Sequence, residues 1–251
     1  MAINVEVFTA TSDDVAHPTV SVEVPDEYKL LGGGAFDQWT DNPDPQGNLL
    51  TASYPVSTTR WAVAGKDHEK ASTSRITAYA LALYDPNDEW ETIIASASSG
   101  LASHPSATAV LPPPFIMTGG GAFAEWTSSG SLLTASYPSA THTWQAQSKD
   151  HDVPEQAVIW SFAIGLRRRD RGPNLERMVA VGSGPIAAHP EASVNLPDGW
   201  TLVGGGAIDN WFDAGNLLTA SYPQGNAWLA AGKDHMHPSP ANISVYAIGV
   251  R

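Results

Sequence analysis

The residues best equipped for chemistry arrive in a fixed block, Trp-x4-Lys-Asp-His, which occurs three times: Trp61 with Lys66, Asp67 and His68; Trp144 with Lys149, Asp150 and His151; Trp228 with Lys233, Asp234 and His235. A carboxylate, an imidazole and an ammonium beside an indole suit three kinds of work. They can hold the hydroxyls of a polar ligand against an aromatic ring, act as acid and base, or supply imidazoles to a metal. A second invariant stretch lies upstream, where a triple glycine leads to a tryptophan: Gly32 to Gly34 with Trp39, Gly119 to Gly121 with Trp126, and Gly204 to Gly206 with Trp211. The residues just before those tryptophans vary, as Asp37-Gln38, Ala124-Glu125 and Asp209-Asn210.

Side-chain alternation along a strand puts Trp61 and Asp67 on one face and Lys66 and His68 on the other. In the second block the latter face reads Gln145, Gln147, Lys149, His151, a solvent-like set. Trp and Asp are therefore expected to point inward, with backbone amides of the following turn as donors for the Asp. A Ser53–His68 nucleophilic pair lacks an orienting acid, because the adjacent Asp67 points the opposite way and the other candidate, Asp37, is Ala124 in the second copy. If the copies surround an axis, His68, His151 and His235 converge on it as a three-imidazole set of the kind zinc accepts. No single copy has metal-ligand spacing, so no metal or other cofactor is expected. The His-Pro histidines, His17, His104 and His189, read as loop residues ahead of a strand.

Between these blocks the heptapeptide Leu-Leu-Thr-Ala-Ser-Tyr-Pro repeats without change at Leu49, Leu132 and Leu217, and each His-Pro precedes its triple glycine by 15 residues. The chain thus holds three copies of about 85 residues, about 3–86, 90–172 and 176–251. Copy one carries an insertion between Trp39 and Leu49, which reads as a surface loop. Short alternating runs broken by Gly, Pro, Asn and Ser give six strands per copy. In copy one these are residues 4–10, 20–24, 29–39, 49–54, 60–66 and 75–83, and the pattern recurs through 91–166 and 177–250. No segment keeps helical periodicity for three turns. Retention of both faces of the heptapeptide marks it as a central strand with fixed neighbours on each side. The triple glycine, costly inside a strand, implies close approach by backbone or a tryptophan ring, or else by a ligand.

Eighteen strands in three equal units predict an all-β, pseudo-threefold, β-prism-like array in one domain, with three tandem small β-sandwich units as the alternative. In architecture the pattern resembles the β-prism lectins, although none of their sugar-binding motifs is present residue for residue. That resemblance is one of fold, and fold does not fix function.

Composition narrows the partners. Thirteen Lys and Arg against 26 Asp and Glu give a formal charge of -13, which repels nucleic acid. The basic run Arg167-Arg168-Arg169-Asp170-Arg171 with Gly172 and Pro173 reads as a solvated linker. There is no cysteine, hence no disulfide or thiolate chemistry. No signal peptide or membrane-spanning run is evident, so the default location is cytoplasmic, with release by a non-signal route left open.

The polar set kept three times favours a multivalent glycan-binding protein over an enzyme, since a triplicated enzyme needs only one intact site. The expected ligand-binding residues are Asp37, Trp39, Trp61, Asp67 and His68 in copy one, Glu125, Trp126, Trp144, Asp150 and His151 in copy two, and Asp209, Trp211, Trp228, Asp234 and His235 in copy three. The alternatives are an enzyme with one site on the pseudo-threefold axis, and a toxin or structural repeat protein.

Overall fold

The computed structural model describes residues 3–39, 47–170 and 175–251. The chain is all-β, with no α-helix among the described residues. Copy one forms β1 (Val5–Thr11), β2 (Thr19–Glu23), β3 (Tyr28–Asp37), β4 (Leu49–Pro55), β5 (Arg60–Lys66) and β6 (Ile76–Tyr84). Copy two forms β7 (Trp90–Ser98), β8 (Ser106–Val110), β9 (Ile116–Glu125), β10 (Leu132–Ala140), β11 (Thr143–Lys149) and β12 (Val158–Arg168). Copy three forms β13 (Arg177–Ser183), β14 (Glu191–Asn195), β15 (Thr201–Asn210), β16 (Asn216–Gln224), β17 (Ala227–Asp234) and β18 (Asn242–Val250).

The eighteen strands make three six-stranded antiparallel sheets, in the orders β1-β6-β3-β16-β17-β14, β13-β18-β15-β10-β11-β8 and β2-β5-β4-β9-β12-β7. Each sheet is half one copy and half another. The first, third and sixth strands of a copy join one sheet while its second, fourth and fifth join a different one. Tandem sandwiches, in which each copy closes a core by itself, are therefore not what forms.

The two halves of each sheet meet at a narrow seam between the triple-glycine strand and a heptapeptide strand of another copy. The seam pairs are Ala220 with Phe36 and Ser221 with Ala35, Ala52 with Phe123 and Ser53 with Ala122, and Ala135 with Ile208 and Ser136 with Ala207. The heptapeptide strands β4, β10 and β16 are central, as the retention of both their faces requires.

The glycines explain themselves by what touches them. A Cβ on Gly32 would lie 3.1 Å from the Gly204 Cα, one on Gly204 3.1 Å from the Gly119 Cα, and one on Gly119 2.8 Å from the Gly32 Cα. Three backbones meet on the pseudo-threefold axis, and only glycine lets them. At the middle glycines a Cβ would stand 2.3 Å from the rings of Trp61, Trp144 and Trp228. Protein fills the space over these glycines, so the packing reading of the triple glycine holds and no ligand reaches it there. Above the glycines on the axis, Leu49, Leu132 and Leu217 form their own enclosed trio.

Candidate functional site

The Trp-x4-Lys-Asp-His strands end at one pole of the axis. Trp61, Trp144 and Trp228 have no solvent exposure, and each indole N–H donates to the heptapeptide serine: Trp61 to Ser53 at 3.2 Å, Trp144 to Ser136 at 3.0 Å and Trp228 to Ser221 at 2.9 Å. These rings point inward as expected, and being enclosed they offer no face to a ligand.

The expectation that Lys and His face solvent is corrected. Lys66, Lys149 and Lys233 are buried, as are His68, His151 and His235. The strand end that would be an outer face is covered by a loop of the next copy, a contact that alternation within one strand cannot reveal. Lys66 lies over the Trp126 ring at 4.3 Å and donates to the carbonyls of Ser128 and Ser129. Lys149 lies over Trp211 at 4.7 Å and donates to the Ala214 carbonyl, and Lys233 lies over Trp39 at 4.4 Å. Burial lowers the pKa of both Lys66 and Lys149, against the pull of nearby carboxylates.

The three imidazoles do converge on the axis, with ring centroids 5.5, 5.5 and 5.6 Å apart. Their donors close a ring through the backbone. His68 Nε2 donates to the His151 carbonyl at 2.6 Å, His151 to that of His235 at 2.7 Å, and His235 to that of His68 at 2.7 Å. The Nδ1 atoms of His68 and His151 lie 3.0 Å from the carbonyls of Ser129 and Ala214. Those nitrogens face backbone carbonyls, so the trio as it stands is a structural clasp and not a shared metal centre. Burial pushes His151 down and takes His235 to about 4, the latter helped by the charges of Lys233 and its two neighbouring imidazoles. Among the described residues no group of three or more His, Asp or Glu side chains is disposed to hold a metal.

Asp67, Asp150 and Asp234 are half-buried and do two jobs. One oxygen accepts the backbone N–H of Ser72, Glu155 or Ser239, at 3.3, 3.2 and 3.2 Å, closing the turn after the strand. The other faces a His-Pro histidine: His17 at 2.9 Å, His104 at 3.1 Å and His189 at 3.5 Å. Each of these exposed imidazoles meets edge-on the half-buried tryptophan of another copy, His17 with Trp126, His104 with Trp211 and His189 with Trp39. Each of Trp39, Trp126 and Trp211 thus carries a lysine ammonium over its ring and an imidazole against it, and the depression beside His104, Asp150 and Asp213, about 220 Å³, is lined by no tryptophan. The His-Pro histidines are not idle loop residues, and their fixed spacing was the signal.

Asp37 and Asp209 are buried, and burial raises the first to about 7 and the second to about 8; Ser74 and Lys233 oppose the rise at Asp37, Ser74 from outside hydrogen-bonding geometry. Glu125 is exposed and accepts the Trp160 indole N–H at 2.8 Å.

Another set of residues lies on the outer faces of the sheets, and sequence reasoning missed it. At each seam the heptapeptide tyrosine, half-buried, stacks on aromatics of another copy. Tyr222 stacks against Phe36 (5.1 Å, 29°) and Tyr79 (5.2 Å, 29°), Tyr54 against Phe123 (5.2 Å, 20°) and Phe162 (5.2 Å, 30°), and Tyr137 against Tyr246 (5.2 Å, 27°). Beside Phe36 and Tyr222 runs a groove of about 380 Å³, floored by Ala192, Ala220 and Ala230 and rimmed by Glu191 and Ser193. The invariance of the tyrosine was visible, but its stacking partners belong to another copy.

The basic run is neutralised locally: Arg167 pairs with Glu91 at 2.6 Å, Arg168 with Asp170 at 2.9 Å and Arg169 with Asp88 at 3.2 Å. Arg171, Gly172 and Pro173, like the insertion of copy one, lie outside the described residues. No helix among the described residues is long and apolar enough to cross a membrane. No family model matches the chain, and no curated protein does either.

Proposed function

We propose that this protein is a multivalent carbohydrate-binding protein with three similar sites per chain, one at the aromatic seam on the outer face of each sheet. The observation that carries the reading is the threefold stack around Tyr54, Tyr137 and Tyr222, partly open to solvent and, at Tyr222, bordering a groove of about 380 Å³. Aromatic rings beside a small-residue floor accept the C–H face of a sugar, and a few polar groups at the rim fix its hydroxyls. Glu191 and Ser193 supply them in one sheet. In another, Gln145 is set by a bond from the Tyr137 hydroxyl at 3.1 Å and donates to Ser106 at 3.2 Å. The groove volume falls at the small end of ligand pockets, which suits a short oligosaccharide.

Three weak sites on one rigid body gain avidity toward a multivalent surface. The seams are not identical: Ile208 stands where the other two have Phe36 and Phe123, so the Tyr137 site should bind most weakly. A glycan array with the intact protein, followed by titration calorimetry on any hit, tests the proposal. We expect two to three sites per chain, and about a tenfold or greater loss at one of them in Tyr222→Ala, as stacking of a ring is worth one to a few kcal/mol. A blank array, or unchanged binding when Tyr54, Tyr137 and Tyr222 are all replaced in a protein that still melts cooperatively, would remove it.

A further inference from the structure

The three seams share a plan and differ at their edge. Across the sheet of the Tyr222 seam the register runs Glu191, Ala231, Ala220, Phe36. The same row is Thr19, Ala64, Ala52, Phe123 at the Tyr54 seam and Ser106, Gln147, Ala135, Ile208 at the Tyr137 seam. Two of these rows therefore have an aromatic ring at one end, two alanines in the middle and an exposed edge-strand residue at the other end. In the third, Gln147 takes a floor position and isoleucine replaces the ring. Three strand spacings separate the ends of a row, about 14 Å at roughly 4.8 Å each, which leaves room for more than one sugar ring.

Of the three edge residues only Glu191 is charged. It lines the groove of about 380 Å³ together with Phe36 and Tyr222, and its charge adds to burial in raising the pKa of the Tyr222 hydroxyl. The other lining residues are Ala192, Ser193, Ala220, Leu229, Ala230 and Ala231, none of them charged, so nothing in the groove offsets the carboxylate. Among the described residues no Lys, Arg or His pairs with it. The other two edges are already engaged. The Thr19 hydroxyl donates to the Val63 carbonyl at 3.3 Å, and Ser106 accepts from Gln145, which the Tyr137 hydroxyl holds in turn. A ligand that fits the Tyr222 groove thus offers an apolar face to the rings and a cation to the edge. A sugar chain bearing protonated amines has both, in its C–H faces and its ammonium groups.

We propose that the Tyr222 groove selects oligosaccharides with free amines, that Glu191 sets this preference, and that the Tyr54 seam takes the neutral counterparts. The inference rests on the glycan reading and assigns different ligands to sites of one plan. The formal charge of -13 works in the same direction, since it draws polycations to the surface of the chain.

The test is calorimetric titration with a glucosamine tetramer and with its fully N-acetylated form, which share a backbone and differ in the charge on nitrogen. Tyr54→Ala combined with Tyr137→Ala, in a protein that still melts cooperatively, leaves the Tyr222 seam to be read alone. There the amine form should bind about fivefold more tightly at low salt, as a good exposed ion pair allows, and the preference should shrink as salt screens it. Glu191→Thr, which copies the Tyr54 edge at an exposed strand position, should abolish the preference and keep binding of the acetylated tetramer. In the otherwise intact chain the same substitution should weaken the tightest amine site, so the comparison does not depend on the tyrosine variants. Thr19→Glu should create an amine preference at the Tyr54 seam. Equal binding of the two tetramers, or an amine preference that survives Glu191→Thr as a general effect of net charge, would overturn the inference and leave the glycan reading standing. If neither tetramer binds the inference also falls, and the glycan array decides the wider reading by itself.

Discussion

Replacing Trp61 by alanine should remove about 4 to 5 kcal/mol of stability. The indole has no solvent exposure, and a large aromatic side chain buries roughly 150 to 250 Å², which at about 25 cal/mol per Å² comes to some 4 to 6 kcal/mol. Measured truncations of buried aromatics cost about 3 to 5 kcal/mol, so the two routes agree. Relief by collapse is small here because the Gly33 backbone forms one wall of the hole, and backbone held in a sheet moves less than a side chain. The Ser53 hydroxyl also loses the indole donor, adding about 1 kcal/mol. Against a typical total of about 5 to 15 kcal/mol the variant would be folded only marginally. Urea unfolding followed by far-ultraviolet circular dichroism reads this as a lower midpoint at similar slope. Trp144→Ala and Trp228→Ala should fall within about 1 to 2 kcal/mol of it, since the three environments match. A Trp61→Ala variant within about 1 kcal/mol of wild type would refute the account of the core.

Further outcomes follow from the pole and the axis. Gly32→Ala places a Cβ 2.8 Å from the Val203 carbonyl oxygen, where only backbone is available to yield; it should cost about 1 to 3 kcal/mol or more, and a stabilised variant in thermal melts would contradict the axial contact. Lys66→Met keeps the alkyl stem over Trp126 but leaves the Ser128 and Ser129 carbonyls without their donor, for an expected loss of about 1 to 3 kcal/mol in denaturant titration. Acid should weaken the axial clasp. His235 titrates near 4 in the folded chain against an ordinary 6.5, so the unfolded chain binds the extra proton between those values. Stability is then full above pH 6.5 and falls by roughly 3 kcal/mol as the pH drops to 4, with His151 acting in the same direction. A melting temperature that is flat across that window would sink the assignment.

Glu155 gives a second acid-sensitive point at lower pH. Burial raises its pKa, but hydrogen bonds from the Ser128 hydroxyl at 2.6 Å and the Thr127 and Gly130 amides at 2.7 Å outweigh this and hold it at about 2. Its contribution, about 1 to 2 kcal/mol after allowing for solvent screening, is present above pH 4.5 and lost as the pH falls through 2. Glu155→Ala should remove that dependence and raise hydrogen exchange in residues 127–130, which a merely superficial carboxylate would leave unchanged.

Much of the architecture could be read before any coordinates. The strands form close to their expected bounds because period-two alternation and glycine or proline breaks act over a few residues. The inward Trp61 and the turn-closing Asp67 follow from the same local rule. What escaped, the convergence of the axial histidines apart, was the contacts between copies. Lys66 and His68 were assigned to solvent because the loop that covers them is about sixty residues away. Asp67 meets His17 across 50 positions. The Tyr54 stack joins a residue of copy one to Phe123 and Phe162 of copy two. The alternation argument also failed at its end: Trp61, Val63 and Gly65 are buried in turn, then Lys66 and His68, because the strand leaves its sheet for the pole where both sides are enclosed.

The chain's own pattern determined three copies, an all-β class and which residues could form strands, since repeat identity, alternation and the steric freedom of glycine are properties of the covalent chain. Tertiary structure alone decided that each copy divides between two sheets and that lysine and histidine go inside. It also decided that the carboxyls of Asp37 and Asp209 are buried without a hydrogen-bond partner among the described residues. The physical reason is that no single copy buries its own faces. Burial is completed only by a neighbour, and nothing local in a copy states which neighbour that will be.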